Sequence, residues 1–335
     1  MPILLPRGER RDAASCARDA PRIAQDWIAG RPGLVAQAAR CHPVEELPAL
    51  PMRQIAPGVH VHLGAPVQLE DSADGRIANL AVVIGERSVA VIDAGVSRAQ
   101  GQELFAAIRR LTDLPISHLI LTHMHPDHAL GASVLQEAGA ELVSHAALPL
   151  ALQMRADSYL GNLGRLYPPS EMLATEVVMP DTALSGPARI DLGGRVLELR
   201  PAPVAHTDND LSVFDAASGT LFAGDLVFRD LTPIVDGSLR GWMDWMDLPP
   251  DPEPRVVVPG HGPVASGWAE AITPQQRFLK ALAEAATAAI GAGLPMSEAV
   301  PVIVNDLADM ENIWNSFPES VARDATAAYK ELEWE

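Results

Sequence analysis

The stretch Leu119–Leu130, LILTHMHPDHAL, constrains this chain more than any other. Apolar and β-branched residues lead in without a helical period, as in a buried strand end. His123, His125, Asp127 and His128 then follow within six positions. Pro126 cannot continue a strand ladder, so the polar cluster is expected on a loop, with a helix opening near Gly131 and Ala132. Three imidazoles and a carboxylate on one short loop cannot all enter a core unaided. Protonated rings repel one another, and neutral rings leave several nitrogens unpaired. A bound metal removes both difficulties. A solvated polar loop would account for a lone His-x-His. His-x-His-x-Asp-His directly after an apolar strand is a far rarer coincidence.

Further donors end other apolar runs at Gly-, Pro- or Asp-rich turns. Leu199–Ala205 runs out into His206-Thr207-Asp208, Thr220–Ala223 ends at Gly224-Asp225, and Arg255–Val258 ends at Pro259-Gly260-His261. Loops at one edge of a sheet sandwich can converge, and the set then offers five imidazoles with Asp127 and Asp225. That donor chemistry suits borderline divalent ions and is wrong for calcium or magnesium. Ile77–Ile84 and Ser88–Ile92 read as a hairpin that ends at Asp93-Ala94-Gly95. Asp93 is compatible with a turn or helix cap and equally with a residue supporting the site from below.

Helical spacing covers Gln100–Leu111, Ala132–Ala138 and Ala146–Arg155, and in the tail Gln275–Ile290, Met296–Val304, Ile313–Phe317 and Val321–Leu332. These runs divide the chain into an N-terminal extension (1–50), a catalytic domain (51–270) and a helical segment (271–335) packed on that domain. One or two short helices are expected within Ala20–Arg40. Ser158–Thr175, with Gly161, Gly164, Pro168 and Pro169, reads as a long loop near the mouth of the site, where Tyr159 and Tyr167 could line a pocket. His60 and His62, out of phase with Val59, Val61 and Leu63, are expected at the surface or lining a groove. His145, at a strand end, and Arg240 are candidate substrate contacts beside Tyr159. Trp242, Met243, Trp245 and Met246 form either core or pocket wall.

Composition narrows the partners. A net charge of −18 leaves no basic stripe for nucleic acid or an anionic membrane. No run reaches transmembrane length, and the N-terminus lacks the order of a signal peptide. Cys16 and Cys41 have no CxxC neighbour; they could pair in an oxidising compartment or remain two inert thiols. No G-x-S-x-G motif supports a serine nucleophile.

The order His-x-His-x-Asp-His, His206, Asp225, His261 resembles the metallo-β-lactamase superfamily over roughly residues 54–265. The resemblance implies an αββα sandwich, an α/β fold, with a dinuclear site. By it, His123, His125 and His206 would hold one metal, Asp127, His128 and His261 the other, and Asp225 would bridge them. Two Zn²⁺ ions are expected, with Fe or Mn left open. They would lower the pKa of bound water to about 7, so that a hydroxide is available as nucleophile. Asp127 would orient it and handle a proton. An Asp bridge demotes antibiotic hydrolysis. The lead-in Ile55–Val61, Ile77-Ala78-Asn79, Ala90–Gly95 and the closing Glu331-Leu332-Glu333-Trp334-Glu335 resemble the quinoprotein relay system zinc metallohydrolases and a related sulfur-oxidation-locus hydrolase. This implies a glyoxalase II-like enzyme acting on a small-molecule or carrier-bound thioester or thiol adduct. The alternatives are a persulfide dioxygenase with mononuclear iron, or a lactonase- or β-lactamase-type hydrolase. A homodimer stays open. Relatives of this kind are often periplasmic, against the cytoplasmic default of a sequence without a signal peptide.

Overall fold

The computed structural model describes residues 13–31, 33–35 and 38–334. A helix α1 (Ala13–Ala29) is followed by seven strands of one sheet: β1 (Arg53–Ala56), β2 (Val59–His62), β3 (Leu80–Ile84), β4 (Val89–Ile92), β5 (Ile116–Ile120), β6 (Glu141–His145) and β7 (Thr182–Leu184). They lie side by side in chain order, antiparallel up to β4 and parallel from there on. The parallel steps need crossovers. These are α2 (Arg98–Leu111), then α3 (Pro126–Ala129) with α4 (Ala132–Glu137), then α5 (Leu148–Leu166). The second sheet holds β8 (Ala188–Asp191), β9 (Val196–Pro201), β10 (Leu211–Asp215), β11 (Thr220–Phe228) and β12 (Val256–His261), also in chain order. Helices α6 (Leu239–Met246), α7 (Trp268–Gly291), α8 (Met296–Asp306) and α9 (Phe317–Leu332) complete the chain.

Three apolar layers explain why these strands are unbroken apolar runs. In β3, Ala81 and Val83 face Leu197, Leu199, Val213 and Phe222 of the other sheet. Leu80 and Val82, pointing the opposite way, pack with Leu104 and Ile108 of α2 and Leu135 of α4. A strand covered on both faces has no solvent side to mark with polar residues. The outer face of the second sheet is covered by the C-terminal helices, with Phe278, Leu282, Val321 and Ala325 against Phe214, Leu221 and Phe228. The architecture is the expected αββα sandwich with a helical C-terminal region.

Three expectations fail locally. Ser158–Thr175 is not a loop throughout, because α5 runs on to Leu166. Gly161 and Gly164 cost it roughly 1 kcal/mol each against alanine. The stripe Tyr159, Leu160, Leu163 and Tyr167, packed with Val96 and Leu130, outweighs them, and the chain straightens only before Pro168-Pro169. Ile313–Phe317 is not a helix of its own. Asn315 bridges Leu231, and the helical run starts at Phe317, the first residue of α9. His62 is buried, its Nδ1 beside the Pro51 carbonyl at 3.1 Å. Being out of phase with Val61 puts it under the outer layer and not in water.

The N-terminal helix lies earlier than expected. Trp27 Nε1 donates to Glu137 Oε1 at 2.7 Å, and the guanidinium groups of Arg31 and Arg98 stack on the Trp27 ring at 4.1 and 4.8 Å. Cys16 and Cys41 form a disulfide. Among the described residues no helix is long and apolar enough to cross a membrane.

Candidate metal centre

Every expected donor comes to one edge of the sandwich. β5 ends at Ile120, and Thr122–His125 form a short connection into α3, where Pro126 occupies the first helical turn. Proline is at home there, having no N–H to lose. Asp127 and His128 therefore sit on a helical turn rather than on open loop. β11 runs through Asp225 to Phe228, past an irregularity at Gly224 with φ 54°. A Cβ at Gly224 would meet Thr122, and one at Gly260 would lie inside Asp225 Oδ1, so both positions require glycine.

The donors form two groups, His123, His125, His206 and Asp225, and Asp127, His128 and His261, each with its ligand atoms within 4.8 Å of one another. His206 Nε2 is 3.1 Å from His125 Nδ1, and His128 Nε2 is 3.5 Å from His261 Nε2. Asp225 stands between the groups. Its Oδ2 is 3.6 Å from His123 Nε2, 3.5 Å from His206 Nε2 and 3.3 Å from His261 Nε2, and its Oδ1 is 3.2 Å from His128 Nε2. Asp127 Oδ2 is 3.4 Å from both His128 Nε2 and His261 Nε2.

Each ring has its outward nitrogen engaged. His206 Nδ1 donates to Ile234 O at 2.7 Å and His261 Nδ1 to Ile77 O at 2.9 Å. His128 Nδ1 donates to Asp93 Oδ2 at 2.8 Å, and His125 Nε2 to Asp236 Oδ2 at 3.1 Å. His123 Nδ1 lies 3.1 Å from Thr122 Oγ1, whose hydroxyl donates to Asp93 Oδ2. With the outer nitrogen of His125, His128, His206 and His261 protonated, the inner nitrogen presents a lone pair, the tautomer a metal requires. Inside, His123 Nε2 and Asp225 Oδ1 are buried without a hydrogen-bond partner, a costly arrangement for an apolar or water-free core. The donor set fits divalent metal ions.

The electrostatics divide in the same way. Burial, with neighbouring rings adding to it, holds His123 well below the ordinary imidazole range. Burial also takes His206 down to about 3. Burial opposes charge on His128 and His261 too, but Asp225 and Asp127 outweigh it and raise both. Asp225 is driven well below the carboxylate range, because His261, His128 and His123 overcome its burial. Asp236 falls to about 2 against its burial, held by His125 and by Arg155, whose Nη1 donates to Oδ2 at 2.8 Å.

The other sequence candidates take different places. Asp93, in the left-handed region at φ 61°, accepts from Thr122 N at 2.8 Å and supports His128. Tyr159 has its hydroxyl buried beside Arg155, and burial pushes that phenol up to about 12. His145 lies outside both donor groups; its Nδ1 accepts from Ala147 N and closes the turn after β6. Arg240 is exposed in the first turn of α6, with its backbone N–H on Glu331 Oε1 at 3.1 Å. Tyr167 donates to Leu69 O at 2.6 Å and is packing. Trp242 is core, its ring 5.3 Å from that of His206. Asp236 and Arg155 escaped the sequence reading, and Asn79 entered it only as part of a resemblance, without a role. Asn79 accepts from Gly64 N and donates to Pro259 O and Gly262 O, which pins the His261 turn to the first sheet.

The sequence pattern of the metallo-beta-lactamase superfamily matches residues 73–261, more than half of the chain. The chain belongs to that superfamily. It is a family of metal-dependent hydrolases. A metallo-beta-lactamase fold-containing protein of Sulfurisphaera tokodaii is 27% identical over 228 residues, which are 62% of this chain and 80% of that protein. Among solved structures, a metallo-beta-lactamase from Pontibacter korlensis superposes with a TM-score of 0.56 at 20% identity, over 69% of this chain and 99% of its own. A stereoselective inverting sec-alkylsulfatase from a Pseudomonas species gives 0.63 at 15% identity, over 84% of this chain and 50% of its own. At these identities the likeness is one of fold.

Proposed function

We propose that the protein is a dinuclear zinc hydrolase that cleaves a small thioester or thiol adduct, in the manner of glyoxalase II. The observation that carries this is the position of Asp225, within 3.6 Å of imidazole nitrogens of both donor groups. His123, His125 and His206 would hold one ion, Asp127, His128 and His261 the second, and Asp225 both. When bound, the ions supply Lewis acidity, which brings the pKa of water toward neutrality and polarises an attacked carbonyl. The chain's own part is to fix and to move protons. Asp93, Asp236 and the carbonyls of Ile77 and Ile234 hold the rings in the tautomer that faces inward. Asp127, set between His128 and His261, orients the nucleophile and carries a proton toward the leaving group.

The closing sequence, one of the stretches that resemble the quinoprotein relay system hydrolases, touches the Asp236 loop. Glu331, its first residue, accepts from Ser238 Oγ and Leu239 N at 2.7 Å each, and so caps the helix that follows the Asp236 loop. The Cys16–Cys41 disulfide supports an oxidising compartment such as the periplasm.

Elemental analysis of protein purified without added metal, followed by a thioester, lactone and β-lactam panel, tests the reading. About two zinc ions per chain and preferred thioester turnover are expected. Asp127→Ala should lower turnover by at least roughly 100-fold with an unchanged circular dichroism spectrum. One iron per chain with oxygen uptake on a persulfide would replace the hydrolase by a dioxygenase.

A further inference from the structure

The hydroxyl of Tyr159 is a buried polar group that the fold itself does not use. Its oxygen is shut off from water and has no hydrogen-bond partner among the described residues. The guanidinium beside it, that of Arg155, carries donors only, so the phenolic proton finds no acceptor there. A buried donor left unmatched costs roughly 1–3 kcal/mol. Packing keeps the ring from turning its hydroxyl to solvent, since Tyr159 lies with Leu160 against Val96, Leu130, Leu163 and Tyr167.

The same packing ties this hydroxyl to both donor groups. Tyr159 stands one turn beyond Arg155 on the same face of α5. Arg155 Nη1 reaches Asp236 Oδ2 at 2.8 Å, and Asp236 in turn holds His125 of the first group. Leu130, in the cluster against the ring, closes the helical turn that carries Asp127 and His128 of the second. Among the five donor rings only that of His125 is not buried, so the way in from solvent passes this side. Burial, with the Asp127 and Asp236 carboxylates adding to it, keeps the phenol protonated up to about 12. It is a fixed, neutral donor at the entrance to the site.

Resting on the hydrolase reading, we propose that Tyr159 is a catalytic residue whose hydroxyl donates a hydrogen bond to the acyl carbonyl oxygen of the substrate. No proton is transferred. The bond strengthens as negative charge gathers on that oxygen in the tetrahedral transition state, so it acts on kcat more than on KM. A carbonyl oxygen has two lone pairs, and this donor adds to the Lewis acidity named above without replacing it. The hydroxyl that the folded chain leaves unmatched is matched when substrate enters.

Tyr159→Phe tests this with the acyl compound that the panel selects and with its trifluoromethyl ketone analogue, whose hydrate imitates the tetrahedral state. The variant should hold as much zinc per chain as wild type. It should melt at the same temperature or higher, because a buried hydroxyl without an acceptor has been removed. Its kcat should fall roughly 10- to 100-fold with KM within about threefold, and its affinity for the ketone should fall by the same factor as kcat. The ratio of the two rates should stay flat from about pH 6 to about pH 9, since the group does not titrate there. A variant with wild-type turnover and ketone affinity overturns the proposal. So does a loss of rate that follows a loss of zinc, which would make the tyrosine a support of the donor scaffold through Arg155. The hydrolase reading fails separately, in wild type that turns over no acyl compound, and the proposal then falls with it. Preference for a lactone or β-lactam would revise the thioester alone and leave this comparison in force.

Discussion

The two ends of the chain both add helix to the sandwich, and they are attached by different physics. At the N-terminus, α1 rests on a few polar and stacking contacts around Trp27, Arg31 and Glu137, with the Cys16–Cys41 disulfide closing the extension on itself. At the C-terminus, α7 to α9 share a continuous apolar layer with the second sheet. They also reach the site. Asp324 Oδ1 accepts from Val235 N at 2.9 Å, and Glu331 caps α6, so α9 holds both ends of the loop that carries Asp236. One flank is an attachment, the other a part of the donor scaffold.

The largest expected effect tests that loop. Asp236→Ala frees the His125 ring, and the affinity of the His123, His125 and His206 group for a divalent ion should fall roughly 10- to 100-fold. Competition with a chromophoric chelator measures this directly; unchanged affinity would show that His125 is positioned without Asp236. A second effect, on stability and not on the site, comes from Asp324, which burial raises to about 7 from 3.8. Between those values the folded protein keeps a proton that the unfolded chain has lost. Stability therefore falls as pH rises through this window and is level above it. Asp324→Asn should abolish the fall, so that between pH 4 and pH 8 the variant gains up to about 4 kcal/mol on wild type. Urea unfolding across that range reads it, and parallel pH curves for the two proteins would contradict it. The smallest effect belongs to the other flank. Cys16→Ser leaves turnover within about twofold and quickens proteolysis near α1, because little beyond that helix depends on the link. A large loss of turnover would erase the contrast between the flanks.

Legibility in the sequence follows a similar divide. The donors could be read because each closes an apolar strand at a glycine, proline or aspartate turn, and three of the histidines are nearly contiguous. Asp236 and Arg155 carry no such mark. A carboxylate before Gly237 reads as an ordinary turn, and its partner lies 81 residues away on α5. The extension of α5 was missed because Gly161 and Gly164 read as breakers, although Tyr159, Leu163 and Tyr167 kept a helical period beneath them. His62 shows the reverse error: alternation finds the two faces of a strand, and a layered fold buries both.

The reach of Asn79 has a consequence in time. It gathers Pro259 from 180 residues further along the chain, while His128 waits for His261 across 133. During synthesis the first four donors are therefore complete long before their partners exist. Contacts of such separation form late in folding, when loop closure can be met by everything already packed. Capture of metal by the early cluster alone would be a half-coordinated, reversible event, and the finished centre is a product of the last steps of folding.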